Sequence, residues 1–153
     1  MTTIVKRTTL IVRDMEKSIA FYEGVLGMTK YYDNQVTLGG DLLPAGNKGD
    51  VTHLTMWKCE DPVIGMIGLL QWVDPVWEAP EINYELGYGN PIFVAAIDDA
   101  EEAYEKAKAA GCKIRGALSE ATYPAAKGGT VTVRSVGVFD PDGHFFELNQ
   151  TLF

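Results

Sequence analysis

A carboxylate in mid-strand among aromatic neighbours is the first chemistry this chain offers. It is Glu147, within residues 139–150, FDPDGHFFELNQ. Asp140-Pro141-Asp142-Gly143 makes a tight turn, because Pro141 presets φ at its second position and Gly143 supplies the positive φ such turns often need. A strand follows, whose alternation puts Phe146 and Leu148 on one face and Phe145, Glu147 and Asn149 on the other. Burying the charge of Glu147 between aromatic neighbours costs several kcal/mol unless a cation, a metal or hydrogen-bond donors meet it. Either a partner faces Glu147, or that side of the strand lies open to water.

The other reactive side chains are few. The two histidines are His53 and His144; His144 sits in the turn and by alternation faces away from Glu147, whereas His53 lies on a strand from which it could enter a pocket. Cys59 and Cys112 are isolated, with no CxxC spacing, which suits reduced thiols better than a disulfide framework or a zinc site. No Ser-His-Asp, Cys-His or paired-carboxylate arrangement and no phosphate-binding glycine loop is visible.

Charge and hydropathy narrow the partners. The net charge is −8, and between Cys59 and Glu105 there is no Lys or Arg, only acids. Such a surface repels phosphate backbones and anionic lipid, so neither nucleic acid nor membrane is an expected partner. The longest apolar run, residues 63–70, is far short of the ~20 residues that span a bilayer. No basic segment precedes an apolar one at the start of the sequence, and the expected location is the cytoplasm.

The elements that must position Glu147 form a repeat. Residues 4–12 read as a strand with Arg7, Thr9 and Ile11 on one face and Thr8, Leu10 and Val12 on the other. Asp14 is the N-cap of a helix with Met15, Ile19, Tyr22 and Leu26 on its apolar side and Gly27 at its end. Strands are predicted over 28–35, 51–58 and 64–73, with a loop over 37–50. After a linker at 74–90, rich in Pro and Gly, the pattern restarts: a strand over 92–97, the N-cap Asp99, a helix ended by Gly111, strands over 112–118 and 130–138, and the closing strand. A loop is expected through Tyr123-Pro124. The economical reading is an α+β protein of two βαβββ modules, residues 1–73 and 91–153, in one compact domain, with curved, mostly antiparallel sheets around a central pocket and helices outside.

The repeat identifies equivalent positions. Aligning Val12-Arg13-Asp14 with Ile97-Asp98-Asp99 pairs Arg7 with Ile92, and place in the final strand pairs Gln71 with Glu147. These four are expected to converge on the pocket. Thr9, Leu69, Ile92, Val94, Phe145 and Asn149 are expected to line its walls. Trp57, with Trp77, Tyr84 and Tyr88 of the linker, would put aromatic surface over the opening, with ordinary core packing as the competing explanation for each.

The stretch TTLIVRDMEKSIAFYEGVLGM, the terminal FDPDGHFFELNQ and the paired βαβββ pattern together resemble the vicinal oxygen chelate superfamily, which includes glyoxalase I, bleomycin-resistance proteins, extradiol dioxygenases and fosfomycin-resistance enzymes. The resemblance covers essentially the whole chain and implies fold more strongly than reaction. In the metal-dependent members four pocket positions carry His, Glu or Gln, His, and Glu. The resemblance implies that Glu147 keeps the fourth position and Gln71 the second, while Arg7 and Ile92 stand where the histidines would be. Arginine keeps its proton and isoleucine has no donor atom, so neither binds a metal. No cofactor is therefore expected, and a divalent metal only if an unusual ligand set, including His53, replaces the family's.

Two readings follow. In the first, the chain is a glyoxalase- and bleomycin-resistance-like protein with a degenerate metal site, binding a small apolar or aromatic molecule that can be anionic. In the second, it is an enzyme of lyase, isomerase or dioxygenase type that uses either a noncanonical metal site or acid-base chemistry in which Arg7 holds a carboxylate or enolate oxygen and Glu147, ion-paired with it when no ligand is bound, is a general base. A homodimer is expected in both, since open strand edges invite pairing and family members commonly join two chains around their pockets.

Overall fold

Asp14 starts the first helix by ordinary capping chemistry. In extended backbone, its side chain accepts a hydrogen bond from the Lys17 N–H at 3.2 Å. In the computed structural model, which describes residues 1–153, this helix belongs to the first of two units, Met1–Glu81 and Ile82–Phe153. Unit 1 comprises β1 (Arg7–Ile11), α1 (Met15–Ile19), β2 (Thr29–Thr37), β3 (Val51–Lys58) and β4 (Met66–Asp74). Its sheet has the order β1-β4-β3-β2, with β1 and β4 parallel and the other neighbours antiparallel.

α1 departs from the regular helix expected. Over Ala20–Val25 it widens into a π-helical turn, with the Leu26 N–H reaching the Phe21 carbonyl at 3.0 Å, and Gly27 ends it at a φ of 69°. The buried side chains are accordingly Met15, Ser18, Phe21, Tyr22 and Val25, whereas Ile19 and Leu26 are only half-buried. α1 packs on β4, and the Thr55 hydroxyl on β3 points at the Met15 sulfur, 3.3 Å away.

Unit 2 repeats the plan with β5 (Ile92–Ala96), α2 (Ala100–Ala109), β6 (Ile114–Pro124), β7 (Thr130–Phe139) and β8 (Phe145–Thr151), in the order β5-β8-β7-β6. β5 and β8 are parallel; β8, β7 and β6 are antiparallel. Asp99 caps α2 by accepting from the Glu101 and Glu102 N–H groups, both at 3.0 Å. The buried face of α2 is all alanine, Ala100, Ala103 and Ala107, and the helix packs on β6, β7 and β8. The two units together form the α+β, twice-repeated βαβββ fold.

A second element differs from expectation. β6 continues through Tyr123 and Pro124, where a loop was predicted. β6 is an edge strand, so the missing N–H of Pro124 leaves no gap in the sheet, and Ala125 closes the hairpin by donating to the Gly129 carbonyl.

Candidate functional site

Within each unit, parallel pairing of the first and last strands decides which side chains share a face. In unit 1 Arg7 lies beside Met66, Thr9 beside Gly68, Leu10 beside Leu69 and Ile11 beside Leu70. In unit 2 Ile92 lies beside Phe145, Val94 beside Glu147 and Ala96 beside Asn149. The position in unit 1 equivalent to Glu147 is therefore Gly68. Gln71 is equivalent instead to Gln150, three residues further along.

This changes the roles of three residues. Gln71, Leu69 and Trp57 were expected in the pocket; all three lie on the sheet face that carries α1. Leu69 and Trp57 are fully buried, and the Trp57 indole N–H donates to the Thr55 hydroxyl at 2.9 Å. The amide oxygen of Gln71 accepts the Met15 N–H at 2.9 Å, and its NH₂ donates to the Arg13 carbonyl at 3.2 Å. Gln150 does the same for α2, accepting the Ala100 N–H at 3.1 Å. These glutamines satisfy helix N-terminal donors that would otherwise be orphaned, which commits Gln71 to structure.

The opposite face of unit 1 carries Arg7, Thr9 and Ile11 on β1 with Gly68 on β4. Arg7 Nε donates to Thr9 Oγ1 at 3.3 Å, and its Nη1 meets the Met56 sulfur at 3.2 Å. The stem of Arg7 lies across Gly68: a Cβ built there would come 2.7 Å from Thr9 Oγ1 and 3.2 Å from Arg7 Cδ. Glycine is thus required for Arg7 and Thr9 to lie where they do. Sequence reasoning missed Gly68. The signal that could have found it is the shared Leu-x-Gln of Leu69-Leu70-Gln71 and Leu148-Asn149-Gln150.

In unit 2 Ile92, Val94, Phe145, Glu147 and Asn149 share one face. Ile92 and Val94 are exposed, at 58% and 64%, while Phe145, Glu147 and Asn149 are half-buried. Asn149 accepts from the Ser135 hydroxyl at 2.6 Å. Glu147 is flanked in register by Val94 and Gly137, and Arg115 pairs with the far side of Gly137. The Phe145 ring leans over Gly137, where a Cβ would come within 2.8 Å of it. Phe139 packs on Phe145 with ring centroids 5.2 Å apart, and Tyr84 stands edge-on to Phe139 at 4.9 Å. Of the other linker aromatics, Trp77 stacks on Trp72 at 3.8 Å and Tyr88 is fully exposed.

Both histidines are tied to aspartates. His53 Nε2 lies 2.7 Å from Asp33 Oδ1, and this bond, with a lesser one from Lys30, holds the Asp33 carboxyl below its ordinary range. His144 Nδ1 lies 2.8 Å from Asp140 Oδ2, while Asp140 Oδ1 accepts from the His144 and Asp142 N–H groups. Burial alone would depress the His144 pKa, but the Asp140 carboxylate and then Asp142 outweigh it and raise the imidazole above its ordinary value. Burial also pushes both thiols, Cys59 and Cys112, upward, so neither is an activated nucleophile. No helix is long and apolar enough to cross a membrane.

The chain belongs to the Glyoxalase/Bleomycin resistance protein/Dioxygenase superfamily, whose model matches residues 4–148. Among solved structures it is similar to a glyoxalase family protein from Bacillus cereus, with a TM-score of 0.74 at 15% identity over 100% of this chain and 97% of that one. It is similar to the fosfomycin resistance protein FosX from Mesorhizobium loti, with a TM-score of 0.59 at 23% identity, covering 97% and 92% of the two chains. A variant of FosX from Listeria monocytogenes, in complex with Mn(II) and 1S,2S-dihydroxypropylphosphonic acid, matches with a TM-score of 0.57 at 20% identity, covering 97% and 90%. These likenesses establish fold. No curated protein sequence matches the chain.

Proposed function

We propose that this chain is a small-molecule-binding member of its superfamily that works without the metal centre of its metal-dependent relatives. The observation that carries the reading is the pair Arg7 and Gly68. Strand register makes Arg7 and Ile92 equivalent to each other and Gly68 the counterpart of Glu147; the resemblance is what sets Arg7 and Ile92 where the family's histidines would be. Of these four side chains only the carboxylate of Glu147 is a metal donor, and a carboxylate at position 68 would collide with Thr9 and Arg7. Transition metals in proteins are generally held by three or four protein ligands. No group of three or more His, Cys, Asp or Glu side chains in the molecule is placed to hold a metal ion. The residues do not fit the Mn(II) that the Listeria FosX structure contains.

The faces that carry Arg7 and Glu147 combine apolar and aromatic side chains with a few polar ones, Thr9, Ser135 and Asn149, which suits an organic ligand, and Arg7 favours one with an anionic group. The exposed Ile92 and Val94 on β5, paired on one side only within its sheet, support a homodimer. Elemental analysis with native mass spectrometry of the purified protein tests the metal-free reading. The expected result is less than a tenth of an equivalent of Mn, Fe, Ni or Zn, with saturable quenching of tryptophan fluorescence by a bound organic compound and no product. One equivalent of metal per chain would overturn it.

The alternative, an acid-base lyase or isomerase with Glu147 as general base, is favoured by one feature. Glu147 is half-buried and makes no hydrogen bond or ion pair within unit 2, which leaves its carboxylate open to a ligand's proton. Turnover of a ligand identified by mass spectrometry, abolished in Glu147→Gln with binding retained, would select it.

A further inference from the structure

We infer that Arg7 is an oxyanion receptor and that Gly68 exists to hold it in place, so that the ligand is a small organic oxyanion, a carboxylate or phosphonate, with an apolar body. The inference rests on the metal-free reading above and adds the class of ligand.

Three observations within unit 1 carry it. First, the acceptors that Arg7 meets are both uncharged, the Thr9 hydroxyl and the Met56 thioether. A guanidinium keeps its charge at any physiological pH, and a thioether is a weak acceptor, so this charge has no counter-ion in the unit. Second, those contacts use Nε and one N–H of Nη1. Nη2 meets nothing in the unit, so both its N–H groups are open to the oxygens of a carboxylate or phosphonate. Third, the arm is braced. Its stem lies over Gly68, with Arg7 Cδ 3.2 Å from where a Cβ would stand, and Thr9 holds Nε. A braced fork loses less freedom on binding than a mobile surface arginine. On the same face Ile11 is exposed, and Met56 and Leu54 are half-buried, so an apolar body would meet apolar side chains next to the charge.

The test needs no knowledge of the natural ligand. Benzoate, phenylphosphonate and neutral benzyl alcohol share a ring and differ in charge. Binding is followed through the Arg7 Nε–H resonance in ¹⁵N NMR of the unmodified protein and by calorimetry. Benzoate or phenylphosphonate, whichever oxyanion the site takes, is expected to shift that resonance saturably and to bind at least tenfold more weakly to Arg7→Gln. Benzyl alcohol should leave the resonance unmoved. Arg7→Lys, which keeps the charge and loses the fork, should also bind more weakly. Oxyanions that leave the Arg7 signal in place, or that bind Arg7→Gln as well as the parent, would overturn the inference. A metal found by elemental analysis would instead overturn the reading beneath it, so the two failures are told apart.

Discussion

Gln71 and Gln150 perform one task in two units: each stands three residues beyond its unit's Gly68 or Glu147 position and accepts the first N–H of the helix, from Met15 at 2.9 Å and from Ala100 at 3.1 Å. A helix whose first donors are met by a side chain on the neighbouring sheet is fixed in rotation as well as position. The pair marks the internal repeat more clearly than any residue on the open faces.

Replacing either glutamine by leucine should therefore cost stability. Each change leaves a helix N–H without its acceptor, and a loss of about 1 to 3 kcal/mol is expected, read from urea denaturation midpoints. Ligand binding by the folded variants should be unchanged, because the side chains serve α1 and α2. Loss of ligand affinity in Gln71→Leu without loss of stability would return Gln71 to the binding site.

Gly68→Ala places a methyl group 2.7 Å from Thr9 Oγ1. Crowding of that kind typically costs about 1 to 3 kcal/mol. Thr9→Ala removes the oxygen and should recover part of the loss, so the double variant should be more stable than the sum of the single changes predicts. Strict additivity in thermal melts would mean that the two side chains do not meet.

The Asp140–His144 contact makes the last turn sensitive to pH. The folded-state pKa of His144 is raised above its ordinary value of 6.5. Its contribution to stability is thus fully present below pH 6.5 and is lost as pH rises through the folded value. Stability measured across that window should fall with rising pH in the parent and fall less in His144→Gln. An identical slope in both would assign the dependence elsewhere.

Sedimentation at micromolar concentration should show a homodimer. Val94→Lys, a charge placed on an exposed strand edge, is expected to shift the distribution toward monomer while leaving the circular dichroism spectrum intact. A parent that sediments as a monomer would remove the proposal.

Much of the fold was legible locally. Asp14 and Asp99 as caps, Gly27 as a helix stop, and the alternation of Phe145 to Asn149 each depend on neighbours in sequence, and strand β3 has the bounds its pattern implied. Pairing across long separations was not legible. Whether Gly68 or Gln71 matches Glu147 is set by the alignment of β1 with β4, which left only the shared Leu-x-Gln as its mark in the sequence: a polar Gln71 in an apolar strand looks like a ligand-facing residue until its amide is seen on the Met15 N–H. The π-helical turn in α1 also left no local mark, since Ile19 and Leu26 satisfy a regular period as well as Phe21 and Val25 do.

The contact of Arg7 with Gly68 also limits how the site can change over generations. A carboxylate at position 68 meets Thr9 and the arginine stem, and a histidine at position 7 with glycine at 68 leaves the first unit with one ligand of two. Neither single step restores what the pair would. Under the metal-free reading proposed above, two coupled changes, not one, separate this face from a metal-holding one.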